Sequence, residues 1–229
     1  MKIKRLDKII SLVDKNSIVA DIGTDHGVVP IKLIEENIAK KVIASDISPN
    51  SLQKLKNKLV FHSQDRIDTY VSDGLSHLYP YQVDTIIIAG MGGNLIKGIL
   101  EKELDIARSA EKLILAANNG LYDLRKFLLD NSFYISREID LFENEKYYQI
   151  IEAKVGKDSF DYDYEFQYGK YNIDNKSDNL KEYLLSKARE IDSIIESLKE
   201  EKPKNWEINI RPLIEKFDEI KEVIGKIEA

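Results

Sequence analysis

The chain has 229 residues, 43% of them apolar and 32% charged, with no cysteine. That length suits one sizeable core plus an appendage, and the missing cysteines exclude a disulfide framework, a thiolate metal site and a cysteine nucleophile together. The net charge of −6 argues against a generic basic nucleic-acid binder. It is unevenly spread. Residues 1–155 carry 21 basic and 22 acidic side chains, residues 156–229 carry 13 and 18, so a near-neutral first part can still meet a nucleic acid through local patches.

An amphipathic stretch opens the chain at 5–14. Asp7 and Lys8 break its apolar spacing, unlike a signal peptide, and no later apolar run approaches a membrane span. Five short runs follow at 17–22, 41–45, 67–72, 84–89 and 112–117, apolar at nearly every position, as expected of parallel strands buried on both faces. Helical spacing lies between them at 28–37, 49–60, 94–102 and 121–130. Ser48 as N-cap before Pro49 marks one helix start. This alternation predicts an open α/β sheet with right-handed crossovers. Two strand-like segments, 133–142 and 147–155, flank the polar turn 143–146 and predict an antiparallel hairpin closing the sheet, an ending that fits a methyltransferase-type Rossmann sheet better than a dehydrogenase.

Residues 156–179 are polar and rich in tyrosine (Tyr162, Tyr164, Tyr168, Tyr171) and read as a surface connector. Two amphipathic helices follow. Leu180, Leu184, Ile191, Ile194, Ile195 and Leu198 stripe the first; Leu213, Phe217, Ile220, Ile224 and Ile227 stripe the second, in coiled-coil-like spacing. Pro203 and Pro212 are expected to bracket the link. The expected division is therefore a domain at 1–155 and a connector with a helical hairpin at 156–229.

The most specific segment runs from Asp21 to Gly27 (DIGTDHG). An acid at a strand end, a glycine turn and a helix start open a nucleotide-sized crevice at the C-terminal edge of such a sheet. The pattern lacks the second close glycine that a pyrophosphate requires, and Asp21 would repel phosphate while tolerating an ammonium or sulfonium group. A methionine-bearing nucleoside suits it. Asp46 ends the second strand nineteen residues past Gly27, the usual distance for a carboxylate on ribose hydroxyls. Asp73-Gly74 follows the third strand, where the acid can accept an adenine amino group and the glycine leaves room for the ring. Gly90-Met91-Gly92-Gly93 strips side chains from the fourth strand's end, where a second substrate would arrive.

These segments resemble the bacterial tRNA (adenine-22-N1)-methyltransferases. The resemblance rests on Arg5-Leu6, DIGTDHG at 21–27 with Pro30, SDIS at 45–48, SDGL at 72–75, AGMGG at 89–93, NNG at 118–120 with Leu124-Arg125, and the E-x-x-K-x-Y pattern at 143–148. It extends through Tyr168-Gly169 into the helical tail. The chain departs from it at Val28-Val29 and Ala116-Ala117. The resemblance implies a Rossmann-like class I methyltransferase sheet and S-adenosyl-L-methionine as cofactor. It implies methyl transfer to N1 of adenine 22 in tRNA, in the cytoplasm, without a metal or a membrane, with a monomer as the simpler assembly.

The implied cofactor contacts are Asp21, Gly23, Asp25, Gly27, Asp46, Ile47, Asp73, Gly74, Gly90 and Met91. Arg5, Gly92, Gly93, Asn94 and Asn118 would contact the substrate, with Lys97 a further candidate, and Asp25 and His26 would serve the chemistry. Docking of tRNA phosphates falls to Lys2, Lys4, Arg5, Lys8, Arg125 and Lys126, and Lys181 and Lys187 could grip the tRNA elbow. From the sequence, an RNA-binding scaffold without catalysis, a nicotinamide oxidoreductase and a methyltransferase of another substrate remain open alternatives.

Overall fold

The computed structural model describes residues 5–59, 64–79 and 81–229. They form two compact units, Met1–Ser159 and Phe160–Ala229. The first unit holds a seven-stranded sheet: β1 (Ser17–Ile22), β2 (Ala39–Asp46), β3 (Ile67–Val71), β4 (Thr85–Ala89), β5 (Lys112–Ala116), β6 (Phe133–Glu143) and β7 (Lys146–Val155), in the order 3-2-1-4-5-7-6. β1 to β5 are parallel, and β7 runs antiparallel between β5 and β6. Val19, Ala20, Val42, Ile43, Ala44 and Ile86 to Ile88 are almost wholly buried, as a sheet covered on both faces demands.

The order reverses between β1 and β4, and the register lines the strand ends up there. Asp21 stands beside Ala44 of β2 and Ile87 of β4, and Asp46 stands beside Val71 of β3. A crevice therefore opens at the C-terminal edge of the sheet, at its topological switch point. The helices are α1 (Arg5–Ser11), α2 (Val28–Glu35), α3 (Pro49–Lys58), α4 (Gly93–Lys102), α5 (Leu104–Ser109) and α6 (Leu121–Asp130). Ser48 caps α3 by accepting from the Ser51 amide, with Pro49 in the first turn. The β6–β7 turn uses Asn144 (φ 50°) and Glu145 (φ 64°), both left-handed, as a two-residue hairpin turn requires.

Several elements differ from expectation. The first helix stops at Ser11, and α5, short and half polar, escapes its periodicity altogether. The helix starting at Pro49 ends at Lys58, and Val60, in its expected span, lies outside the described residues, as do Lys2 and Lys4. Arg125 is not a surface cation. It is completely buried, donating through Nε to Glu138 at 2.8 Å and through Nη2 to Gln149 at 2.9 Å. Its helix turns that face inward against the hairpin, so the charge is matched by a buried carboxylate rather than by solvent. Lys126 is exposed.

In the second unit the connector is partly helical: α7 (Asp163–Tyr168) and α8 (Lys170–Asp174). The Glu165 carboxylate accepts from the amides of Asp161 and Tyr162 and starts α7, and Tyr164 and Tyr168 are buried. The long helices are α9 (Asp178–Glu201) and α10 (Trp206–Glu228). Leu180, Leu184 and Ile195 of α9 and Ile210, Ile220, Val223 and Ile227 of α10 are buried, whereas Ile194 is exposed. Pro212 lies inside α10 instead of in the link. Lys181 pairs with Glu228 and Lys187 with Glu190, so both charges are already engaged within this unit.

Removing one member of a buried ion pair strands the other in a low dielectric. Arg125→Ala should lower unfolding free energy by about 3–5 kcal/mol, read by chemical denaturation; a loss below about 1 kcal/mol would mean that Glu138 finds another partner.

Candidate active site

The turn after β1 is built on one carbonyl. Ser45 O accepts from the amides of Gly23 at 2.8 Å and Thr24 at 2.9 Å, tying the ends of β1 and β2 together. Gly23 sits at φ +76°, a conformation that side-chain-bearing residues rarely adopt, and the Met91 methyl occupies the place a Cβ would take. His26 (φ 56°) and Gly27 (φ 69°) continue the left-handed turn into α2.

Asp21 is buried and accepts from the Thr24 hydroxyl. Burial pushes its carboxyl up to about 6, with the Thr24 hydrogen bond pulling down and the charge of Asp46 pushing up. Asp46 Oδ1 accepts from the Ser48 amide at 2.7 Å, and Oδ2 has no protein partner among the described residues. Asp73 is exposed and pairs with Lys102 at 3.0 Å, which holds its carboxyl below the usual carboxylate range. The 72–75 loop is held from two sides. His77 Nδ1 lies 3.1 Å from Ser72 Oγ, and the Glu103 carboxylate accepts from the Leu75 amide at 3.0 Å. Asp25 and His26 lie 3.4 Å apart, both largely exposed.

Across the crevice, the Gly90 amide (φ +82°) donates to Ala116 O at 3.0 Å, and the Asn118 amide donates to Met91 O at 2.8 Å. The Asn118 side chain donates to Gly90 O at 2.6 Å and accepts from Arg5 Nη1 at 3.0 Å. Ala116 and Ala117 are both buried, so the departure there changes packing behind the loop.

One cavity of about 770 Å³ gathers Arg5, Asp21, Gly23, Asp25, His26, Asp46, Ile47, Asp73, Gly90, Met91 and Asn118. It also takes in Ser72, which the sequence reading missed, and a set of apolar walls. Val28, Ile47 and Leu95 are exposed aliphatic side chains that all line it; their sequence signal is an apolar residue one or two positions after an acid or glycine in the segment that follows a strand, facing out rather than in. Gly27, Gly74, Gly92, Gly93 and Asn94 do not line the cavity. A Cβ at Gly27 would strike Leu55, one at Gly74 the Glu103 carboxylate, one at Gly92 the Asn119 side chain, and one at Gly93 the Gly120 backbone. These glycines serve close packing of the turns. The space expected at Gly74 for a ring is taken by Glu103, and Asn94 is exposed in the first turn of α4.

Residues 3–151 match the family described as a methyltransferase domain, and the chain belongs to it. More narrowly, it belongs to the tRNA (adenine(22)-N(1))-methyltransferase family. The Bacillus subtilis (strain 168) enzyme of that name is 30% identical over 164 residues, 70% of this chain and 68% of that protein. The Streptococcus pneumoniae protein Sp1610, crystallised with S-adenosyl-L-methionine, is 30% identical with a TM-score of 0.85, covering 98% of this chain and 100% of that one. The B. subtilis m1A22 methyltransferase TrmK aligns with a TM-score of 0.82 at 25% identity, covering 98% and 99%.

The cavity's residues fit such a cofactor: a desolvated acid for an ammonium, an acid with a free oxygen for ribose hydroxyls, and aliphatic walls for a purine. Asp21 carries a cost for this. Its carboxyl rises from 3.8 to about 6 on folding, so the folded state holds the proton more tightly, and stability falls as pH rises through that window and stays lower above it. Asp21→Asn should therefore stabilise the cofactor-free protein by about 1–3 kcal/mol at about pH 7.5. The gain should shrink as pH is lowered through the window, as denaturation at both ends will test; a loss of stability near pH 7.5 would contradict it.

Proposed function

We propose that this protein transfers a methyl group from S-adenosyl-L-methionine to N1 of adenine 22 in tRNA. The observation that carries the reading is the convergence of Asp21, Asp46, Asp73 and the hydrogen-bonded pair Gly90 and Asn118, from the loops after β4 and β5, on one cleft, in a chain of this family. The cofactor supplies an already activated methyl group, which adenine N1 takes with its lone pair as the sulfur–carbon bond breaks. Positioning accounts for most of the acceleration in such an in-line displacement.

In this reading Asp21 holds the ammonium group of the methionine moiety, Asp46 accepts from ribose hydroxyls through Oδ2, and Asp73 accepts from the adenine amino group after exchanging Lys102. Gly23 and Met91 pack against the moving methyl's neighbourhood. Asp25 faces the base, where positive charge arrives as it leaves sulfur, and lowers the energy of that charge. His26 orients Asp25 from 3.4 Å. N1 lies on the pairing edge, so the base must be unpaired or turned outward to enter. Arg5 and the exposed Lys126 supply cationic contacts to the RNA, and the cytoplasm, where tRNA is plentiful, is the compartment the reading requires. Among the described residues no helix is long and apolar enough to cross a membrane, and no cluster of three or more metal-ligating side chains occurs.

Incubation with labelled cofactor and unmodified tRNA, followed by nucleoside mass spectrometry, should yield N1-methyladenosine at one D-arm position. Absence of label in tRNA despite cofactor binding would refute the substrate assignment. Asp25→Asn should slow single-turnover transfer by about 10-fold through lost charge stabilisation; unchanged rate and unchanged cofactor affinity would remove Asp25 from the mechanism.

A further inference from the structure

Asn118 is held in one orientation by two groups of opposite character. Arg5 can only donate, and it takes a lone pair of Asn118 Oδ1 at 3.0 Å; Gly90 O can only accept, and it takes one hydrogen of Nδ2 at 2.6 Å. The amide therefore cannot be reversed. An asparagine side chain has two acceptor positions on oxygen and two hydrogens on nitrogen, so one of each is left over, and Asn118 is exposed and lines the cleft. Arg5 is itself braced. Its guanidinium lies over the Tyr148 ring at 4.6 Å from the centroid, and its backbone amide donates to Glu143 Oε1 at 3.0 Å. The E-x-x-K-x-Y hairpin pattern, through Glu143 and Tyr148, thus holds the arginine that holds the asparagine.

A remaining acceptor and donor on one planar amide match two edges of adenine. On the pairing edge the donor would bond N1, withdrawing the lone pair that must attack the methyl group. On the other edge the amide accepts from the 6-amino group and donates to N7, the bidentate arrangement by which asparagine reads adenine, and N1 stays free. We infer that Asn118, locked by Arg5 on Tyr148, reads the N6/N7 edge of the target adenine and so selects the base while leaving its nucleophile unbonded. The inference rests on the adenine-N1 reading above and deepens it. Asn118 contacts substrate; Arg5 reads no base itself here, and Tyr148 is a positioning residue.

The experiment uses full-length protein and tRNA carrying adenosine, 7-deazaadenosine or purine ribonucleoside at the target position, with single-turnover rates for each. The wild type should be about 10-fold slower on each analogue than on adenosine. Asn118→Ala should be slower on adenosine and lose most of that discrimination. Tyr148→Leu should lose part of it, whereas Tyr148→Phe, which keeps the ring beneath Arg5, should retain it. Cofactor binding, measured separately, checks that each variant is folded. Equal rates on all three substrates with wild-type protein would overturn the inference, as would discrimination undiminished in Asn118→Ala or, should that variant fail to bind cofactor, in Tyr148→Leu. Failure to methylate the adenosine-containing tRNA at all would instead overturn the reaction assigned above, and this inference with it.

Discussion

The carbonyl of Ser45 receives both amides of the β1 turn, and the site depends on that junction. It brings the end of β1 against the end of β2, so that Asp21 and Asp46 share one crevice although twenty-four intervening residues cross the sheet. With parallel strands in register, the third and fourth strand ends fall on the same edge without further instruction. Chemistry then follows from solvent access. Asp21 is dry, Asp46 is half shared with the start of α3, and Asp73 is wet and paired with a lysine. Chemically identical side chains thereby part ways: burial raises the proton affinity of Asp21, the lysine beside Asp73 lowers that of Asp73, and Asp46 keeps one oxygen open to a ligand.

The parallel strands were legible because burial on both faces leaves an uninterrupted apolar run, and the acids stood out against it. β1 and α6 match their expected bounds, and the hairpin's polar turn was visible as a break between two alternating segments. What escaped depended on tertiary partners. Arg125 looks like any surface cation on a helix until Glu138 and Gln149 arrive from the hairpin. The short helices α5, α7 and α8 have too few turns to show a period, and α7 is set by one carboxylate capping two amides. Pro212 reads as a breaker, yet it is exposed inside α10, where flanking turns hold the helix.

The glycines teach a related lesson. In sequence, Gly27, Gly74, Gly92 and Gly93 are indistinguishable from Gly23 and Gly90 as places where a ligand might approach the backbone. In space they are filled by the protein itself: Leu55, Glu103, Asn119 and the Gly120 backbone. At Gly90 a Cβ would meet nothing within 4 Å, so the missing side chain there leaves open volume on the cleft. Asn118, by contrast, gains meaning from its neighbours, because a donor on one side and an acceptor on the other decide which atom it offers.

The bond from the Arg5 amide to Glu143 joins residues 138 positions apart. A chain emerging from the ribosome has its β1–β2 junction, and with it Asp21 and Asp46, long before the hairpin exists. The half of the cleft that holds a small molecule can therefore assemble early, while the half that judges a base waits for nearly the last strand of its unit. Order of synthesis thus separates two capacities that share one cavity: a nascent chain without its hairpin lacks the brace for Arg5, and so lacks the device that tells one base from another.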